Sequence, residues 1–461
     1  MSIAWDIVII GAGPAGMAAA TLAAGKGAST LLLDEQPAAG GQIYRATGKL
    51  GHERLRVLGP DYRRGVALVE RFHASSAAYA PGSAVWQITG EREVWATHNG
   101  TSQVVQAGAV ILATGAMERP VPVPGWTLPG VMAAGAVQIL LKSSGLIPTG
   151  GLVLAGSGPL FYLLAWQLLQ AGTPPAALLD TATSGNFKRA LRHLPEALDP
   201  TALGYLRKGL ALKWALRRAA IPTWREVSDI RIEGSDRAET VRFRSGGQSH
   251  RVAASMVALH EGVIPAQQVP RSIGCTHIWD DVQQCFRPEV DDWGATSIGG
   301  IFAAGDGAGI GGAWAAEHGG RVAAWQALHH IGRIDAATRD EGSARDREAR
   351  RAHLAVRKLL DRMYTPRAEI LRPADEVIVC RCEEVTAGQI RAVVAHGCQG
   401  PNQAKSFLRA GMGPCQGRLC GPVVSAVIAG ERGVSVAEIG YYRIRPPLKP
   451  ITVGELAALT G

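Results

Sequence analysis

The sequence predicts an α/β protein in which two strand–turn–helix nucleotide-binding units precede a small separate module. Three observations carry this. Residues 6–42 run as an apolar strand, a glycine turn, an alanine-rich helix and a second apolar strand that ends on Asp34-Glu35. Residues 151–180 repeat that order and end on Asp180. Near the C-terminus four cysteines gather in two close pairs, Cys380/Cys382 and Cys415/Cys420. Strand, turn, helix and strand in this order make a parallel βαβ unit.

The first unit is the most informative. Gly11-Ala12-Gly13-Pro14-Ala15-Gly16 follows directly on the run Ile7-Val8-Ile9-Ile10, and G-x-G-x-x-G in that context is a dinucleotide fingerprint. Gly11 makes the tight turn, Gly13 lets the backbone approach a pyrophosphate, and Gly16 lets helix and strand pack closely. The helix N-terminus offers the phosphates free N–H groups and a partial positive charge. Asp34-Glu35-Gln36 ends the second strand, where an acid would bind a ribose diol. Gly40-Gly41-Gln42-Ile43-Tyr44-Arg45 then forms a polar loop able to lie beside the same dinucleotide.

Short strand-like pieces follow at 84–89, 93–97 and 103–105, then an apolar strand from Val110 that ends in Ala113-Thr114-Gly115. The prolines of 119–130 interrupt regular pairing and read as an interdomain hinge. In the second unit Gly156-Ser157-Gly158 makes the turn, but Phe161 stands where the third glycine would be. A bulky side chain there is expected to push the helix away and narrow the pyrophosphate seat, so bound NAD(P) is not expected. Strand pieces at 228–232, 240–244 and 255–259 close this domain. Residues 297–306 form a strand and a glycine turn with an acid, Gly305-Asp306, before a helix at 312–331, and here the chain returns to the first domain.

The chain thus divides into a discontinuous first domain, 1–118 with 273–335, and a second Rossmann-like domain, 119–272. A charged helical linker, 336–375, a small cysteine-bearing module, 376–435, and a tail, 436–461, complete it. At 461 residues the chain is too long for one core. No secretory signal is read at the N-terminus, which suggests a cytoplasmic protein. The long apolar run 151–172 is broken by Gly156 and Gly158-Pro159, which argues against a transmembrane helix. The formal charge of +9 is concentrated: residues 186–225 hold nine Lys/Arg against Glu196 and Asp199. A solvated helical hairpin inserted in the second domain explains this, and a docking face for an acidic partner is the sharper reading. Nucleic acid is not indicated, because no aromatic side chains interleave regularly with the basic ones.

Four thiolates at Cys380, Cys382, Cys415 and Cys420 suit a 2Fe–2S cluster or structural zinc. The C-x-C pair favours the cluster, and Gly411, Gly413, Gly417 and Gly421 give a loop able to donate N–H groups to sulfur. Cys398, Cys275 and Cys285 read as packing thiols. Residues 151–270 contain no C-x-x-C, so a disulfide reductase is disfavoured. His260-Glu261 and Glu317-His318 sit in no recognisable constellation, and no catalytic residue is assigned.

Gly11–Gly16, Gly40-Gly41-Gln42, Ala113-Thr114-Gly115 and residues 301–306 resemble the thioredoxin-reductase-like pyridine nucleotide-disulfide oxidoreductases. Residues 379–421 resemble the bacterioferritin-associated-ferredoxin-like (BFD-like) 2Fe–2S domain. Together, with Asp34-Glu35-Gln36, Gly40–Arg45 and the closing run 445–450, they resemble the FAD-containing α (A) subunit of heteromeric amine and amino-acid dehydrogenases. Opine oxidases, D-hydroxyproline dehydrogenase and hydrogen cyanide synthase belong to that group. The resemblance implies two Rossmann-like domains, the first binding FAD, plus a small α-helical cluster domain. It also implies that Asp34 or Glu35 binds the adenosine ribose and that Asp306 binds the ribityl chain. The implied complex has a FAD-containing β subunit of the D-amino-acid-oxidase type that oxidises a secondary amine or amino acid. Electrons then leave through this chain towards a quinone or cytochrome chain. A small γ subunit, an FMN at an interface between subunits and a peripheral position at the inner membrane are further options. The alternatives are oxidation of glycine in a hydrogen cyanide synthase, a stand-alone NAD(P)H-dependent flavin/iron–sulfur reductase, and a binding module with structural cofactors.

Overall fold

The computed structural model describes residues 3–49 and 51–459; Met1, Ser2, Leu50, Thr460 and Gly461, which include the ends of the first domain and of the tail, lie outside it. The first sheet is ordered 78–81, 30–34, 3–10, 101–112, 93–98, 84–88, with Ile301–Ala303 also beside Thr101–Leu112. Ile3–Ile10 pairs in parallel with both Thr30–Asp34 and Thr101–Leu112. Strand side chains alternate between faces, so Ile7 and Ile9 enter one core while Val8 and Ile10 enter another. This two-sided burial explains why the strand is apolar throughout. The helices Pro14–Gly25 and Ala313–His330 cover one face. They approach so closely that a Cβ at Gly320 would collide with the Ala15 backbone.

The second sheet is ordered 223–224, 177–180, 152–157, 256–261, 131–133, and every pairing in it is parallel. Leu152–Ser157 and the helix Pro159–Gln170 break the long apolar run as expected. No helix among the described residues is long and apolar enough to cross a membrane. The basic segment is helical at Ser184–Ala190 and Pro200–Arg218, but these do not pair as the expected hairpin: the first packs on Arg357–Met363 and the second on Pro159–Gln170.

Several expectations are corrected. Two helices that the sequence reading did not place, His52–Leu58 and Pro60–His73, follow the polar loop. The proline-rich stretch, expected as an interdomain hinge, is packed: Val121, Val123 and Trp126 are buried, and Trp126 donates to the Ile378 carbonyl of the cysteine module at 2.7 Å. The charged 336–375 stretch is exposed only in part. Ala336–Leu354 carries the charge, whereas Val356, Leu359, Ile370 and Leu371 are buried.

The cysteine module builds on a short ribbon, Ile378–Cys380 with Val385–Thr386, and on the helices Ala387–Ala395, Pro401–Leu408 and Gly421–Arg432. Thr386 starts the first of these through a reciprocal capping box with Gln389. Tyr441, Tyr442, Ile444 and Leu448 of the tail belong to its core.

Candidate functional site

A cavity of about 2100 Å³ runs along the carboxyl ends of the parallel strands of both sheets, where open α/β sheets place their ligands. Gly11, Gly13, Pro14, Ala15, Asp34, Glu35, Gln36, Gly41, Gln42, Arg45, Ala113, Thr114, Gly115, Gly305 and Asp306 all line it. Gly16 does not, because it is buried where a Cβ would collide with the Gly11 carbonyl. The seat is a cradle that side chains would fill. A Cβ at Gly11 would lie 2.5 Å from the Ala113 oxygen, and one at Gly41 2.7 Å from Gly13 Cα. An extended dinucleotide fits such a floor, since its phosphates need backbone N–H groups at close range.

The carboxylates of this seat have distinct tasks. Asp34 is buried, and both its oxygens accept backbone N–H groups, Ala12 at 2.5 Å and Gln36 at 2.6 Å. It therefore ties the glycine turn to the end of the second strand. Glu35 is exposed and ion-paired with Lys449. One oxygen of Asp306 accepts from Gly311 and Gly312, both at 2.8 Å, which fixes the turn before Ala313–His330. Arg45 joins Gln36 to Gln42 at 2.5 and 3.0 Å, while its Nε is buried with no partner.

Lys142 is a cavity residue that sequence reasoning missed. It is buried on the helix Ala134–Ser144 and donates to the Gln42 carbonyl at 3.1 Å. Burial, with Arg45 nearby, pushes its ammonium down to about 7. A lone lysine within an otherwise uncharged helix is the pattern that could have revealed it.

The second crevice opens on the same cavity but is furnished differently. Phe161 is 0% exposed and packs in the core among Leu152, Leu154 and Leu164, so it does not narrow the pyrophosphate seat as expected. Polar side chains line this crevice instead. The buried His260 lies against the turn, its Nε2 3.4 Å from where a Gly158 Cβ would be, and its Nδ1 is bonded to Glu118. Asp180, the ribose acid by position, accepts the Tyr162 hydroxyl on one oxygen and the Ala182 N–H at 3.0 Å on the other. Glu261 accepts from Thr181 at 3.0 Å and from Arg367 at 2.7 Å. His260 and Glu261 thus serve as structural hydrogen-bonding groups. So do Glu317, paired with Arg64 and Arg321, and His318, bonded to Asp346.

The four late thiols meet in two couples, Cys380 with Cys420 and Cys382 with Cys415. Cys420 donates to Cys380, which lowers the Cys380 thiol to about 6, and the N–H groups of Gly411 and Glu383 help. Cys382 interacts with Cys415, and burial raises the Cys382 thiol. They stand as two pairs, and among the described residues no three such side chains are drawn into one ligand set. Their mutual approach and the N–H donors fit a thiolate-held group. Gly413 is required because a Cβ there would strike Cys382, whereas Gly411, Gly417 and Gly421 mainly make room for the rings of Tyr442 and Tyr441. Arg418 joins the two regions: it belongs to the thiol loop, lines the cavity, and donates to the Leu448 carbonyl at 2.7 Å. Cys398 is buried outside this set. Cys285 is buried beside Arg119, its thiol pushed up to about 11 by burial.

Comparison with known proteins places these regions in context. Residues 5–332 match the family described as pyridine nucleotide-disulphide oxidoreductase, and residues 378–430 match the BFD-like 2Fe-2S binding domain. The chain is 46% identical over 455 residues to the opine oxidase A subunit of Rhizobium meliloti (strain 1021), covering 99% of each chain. It is 34% identical to the hydrogen cyanide synthase subunit HcnB of Pseudomonas aeruginosa, covering 96% of each. In fold it resembles L-proline dehydrogenase from P. horikoshii, with a TM-score of 0.70 at 18% identity over 99% of this chain and 80% of that one. It also resembles T. acidophilum thioredoxin reductase, with a TM-score of 0.50 at 19% identity over 71% of this chain and 99% of that one.

Proposed function

The chain belongs to the family of opine oxidase A subunits, and from that premise we propose that it is the electron-transfer subunit of a complex that oxidises an opine or amino acid. The observation that carries this is the open glycine-floored seat of the first domain beside a second crevice in which the buried His260 lies against the Gly158 turn and Tyr162 occupies one oxygen of Asp180. In this reading NADH is not the donor, and the electrons arrive from another chain.

In this reading Gly11, Gly13, Pro14, Ala15 and Gly41 would hold the pyrophosphate of FAD. Glu35, or Asp34, would meet its ribose, Asp306 its ribityl chain, and Gln42 and Arg45 the neighbouring part. Cys380, Cys382, Cys415 and Cys420 would hold a 2Fe–2S cluster. When bound, the flavin supplies two-electron chemistry and the cluster one-electron chemistry. The protein's own part is to hold the seat rigid. Asp34 locks the glycine turn, Arg45 buckles the loop that follows, and Lys142 pins the Gln42 carbonyl with a proton that it can release near neutrality. The amine would be oxidised at a FAD-containing β subunit of the D-amino-acid-oxidase type, with a quinone or cytochrome chain as acceptor. The chain would act in the cytoplasm, at the periphery of the inner membrane. Hydrogen cyanide synthase chemistry is the nearby variant, tested by offering glycine to the reconstituted complex.

The purified chain should carry flavin and iron yet oxidise no amine until its partner is added. Robust amine oxidation by the chain alone would overturn the proposal. Cys380→Ser should lower iron content by at least tenfold in metal analysis while flavin content is retained.

A further inference from the structure

The C-terminal part of the chain reaches into the dinucleotide cavity at two points. Beyond Pro366 only two of the described residues line that cavity, and both are cations: Arg418 of the thiol loop and Lys449 of the tail. One residue between them holds the arrangement together. Leu448 is 1% exposed in the core of the cysteine module. Its N–H donates to the Trp86 carbonyl at 2.7 Å, and its own carbonyl accepts from Arg418 at 2.7 Å. Trp86 lies on the strand Ala84–Ile88 of the first sheet, so Leu448 is bonded to the first domain on one side and to the thiol loop on the other. Pro446, Pro447 and Pro450 flank it, and their fixed φ angles leave this run little freedom to lose when it is held.

The position of the two cations selects the part of a ligand that they would meet. In a βαβ seat the glycine turn takes the pyrophosphate, and the acid that ends the second strand takes the adenosine ribose. Lys449 is ion-paired with Glu35 at that acid end, and Val85, next to Trp86, lines the cavity as well. An exposed pair of this kind contributes little to stability, so the buried Leu448 holds the tail and the pair only aims Lys449. Arg418 gives one N–H to Leu448 and has no carboxylate partner among the described residues. A half-buried cation without an acid, at the border of a nucleotide seat, suits an electron-rich ligand. A guanidinium can also stack on an aromatic face such as adenine.

We propose that Arg418 and Lys449 are ligand-binding residues of this seat, and that the tail completes it over the adenosine half of a bound dinucleotide. The inference rests on the FAD reading given above and adds that the seat is built from both ends of the chain. By linkage, a ligand held in this way strengthens the seating of the cysteine module in return.

The test uses the full chain freed of flavin, with FAD, ADP and FMN as probes. ADP carries the adenosine half alone, and FMN lacks it. Lys449→Ala and Arg418→Gln should each weaken FAD and ADP about tenfold in calorimetric titration, the loss of one charge-assisted hydrogen bond. FMN should bind each variant as it binds wild type. Lys449→Ala, far in sequence from the thiols, should keep wild-type iron content and a wild-type thermal midpoint without ligand, so a weakened seat would not report a damaged fold. In the wild-type chain ADP should slow hydrogen exchange across 441–452. FAD and ADP affinities that are unchanged or improved in both variants would overturn the tail's role and leave the electron-transfer reading intact. Equal weakening of FMN, or exchange in the tail that ADP does not slow, would do the same. A wild-type chain that binds neither FAD nor ADP would overturn both.

Discussion

The two nucleotide crevices share one backbone plan and differ in what is hung on it. In each, a strand, a glycine turn and a helix precede a strand ending in an acid, and one oxygen of that acid accepts the N–H two residues on. The other oxygen marks the difference. Asp34 gives it to the Ala12 N–H inside the glycine turn, whereas Asp180 gives it to the Tyr162 hydroxyl from the helix. The adjoining strands diverge in the same way. Ala113 lies beside Gly11, and at the matching place His260 pairs with Gly156 and sets its ring 3.4 Å from where a Gly158 Cβ would be.

Phe161→Ala is the harshest perturbation of the second crevice. It should cost about 3–5 kcal/mol in chemical denaturation because the ring is fully buried. Yet it should not admit NADH, because the ring faces the core. Gly16→Val attacks the first crevice at the matching position. Its side chain must displace the Gly11 carbonyl, so we expect a loss of about 1–3 kcal/mol and of most of the flavin, read from the visible spectrum. Tyr162→Phe with His260→Ala should partly convert the second crevice. NADH affinity by calorimetry should improve about tenfold, or about 1.4 kcal/mol.

Lys142 probes the first crevice through pH. Its folded pKa of about 7 lies below its ordinary value of 10.5. The unfolded chain therefore binds more protons between those values, and stability rises with pH across that window. Between pH 7 and 8 the rise should be about 1 kcal/mol, and Lys142→Met should abolish it in denaturation curves at the two pH values. Lys449→Ala, which removes an exposed ion pair with Glu35, should change stability by no more than about 0.5 kcal/mol.

The first crevice was legible in the sequence because its determinants are contiguous: Gly11 to Gly16, then Asp34, with strand and helix periodicity between them. The cysteine pairs were legible for the same reason. The second crevice misled at Phe161, because a place in a motif does not say which way a side chain points, and this one turns inward between helix and sheet. The groups that fill the crevice come from far along the chain. His260 meets Glu118 across 142 residues, and Arg367 meets Glu261 across 106. The roles of Arg418 and Lys449 depend on how the C-terminal module seats against the first domain, which no local pattern encodes.

In the proposed relay this chain receives electrons from a partner and not from a nicotinamide. An anaerobic titration of the purified chain, followed in the visible spectrum, tests it most directly. NADH and NADPH should leave the flavin oxidised, and an opine with the amine-oxidising partner present should bleach it and reduce the cluster. Rapid bleaching by NADH alone, with no response to opine and partner, would contradict the relay.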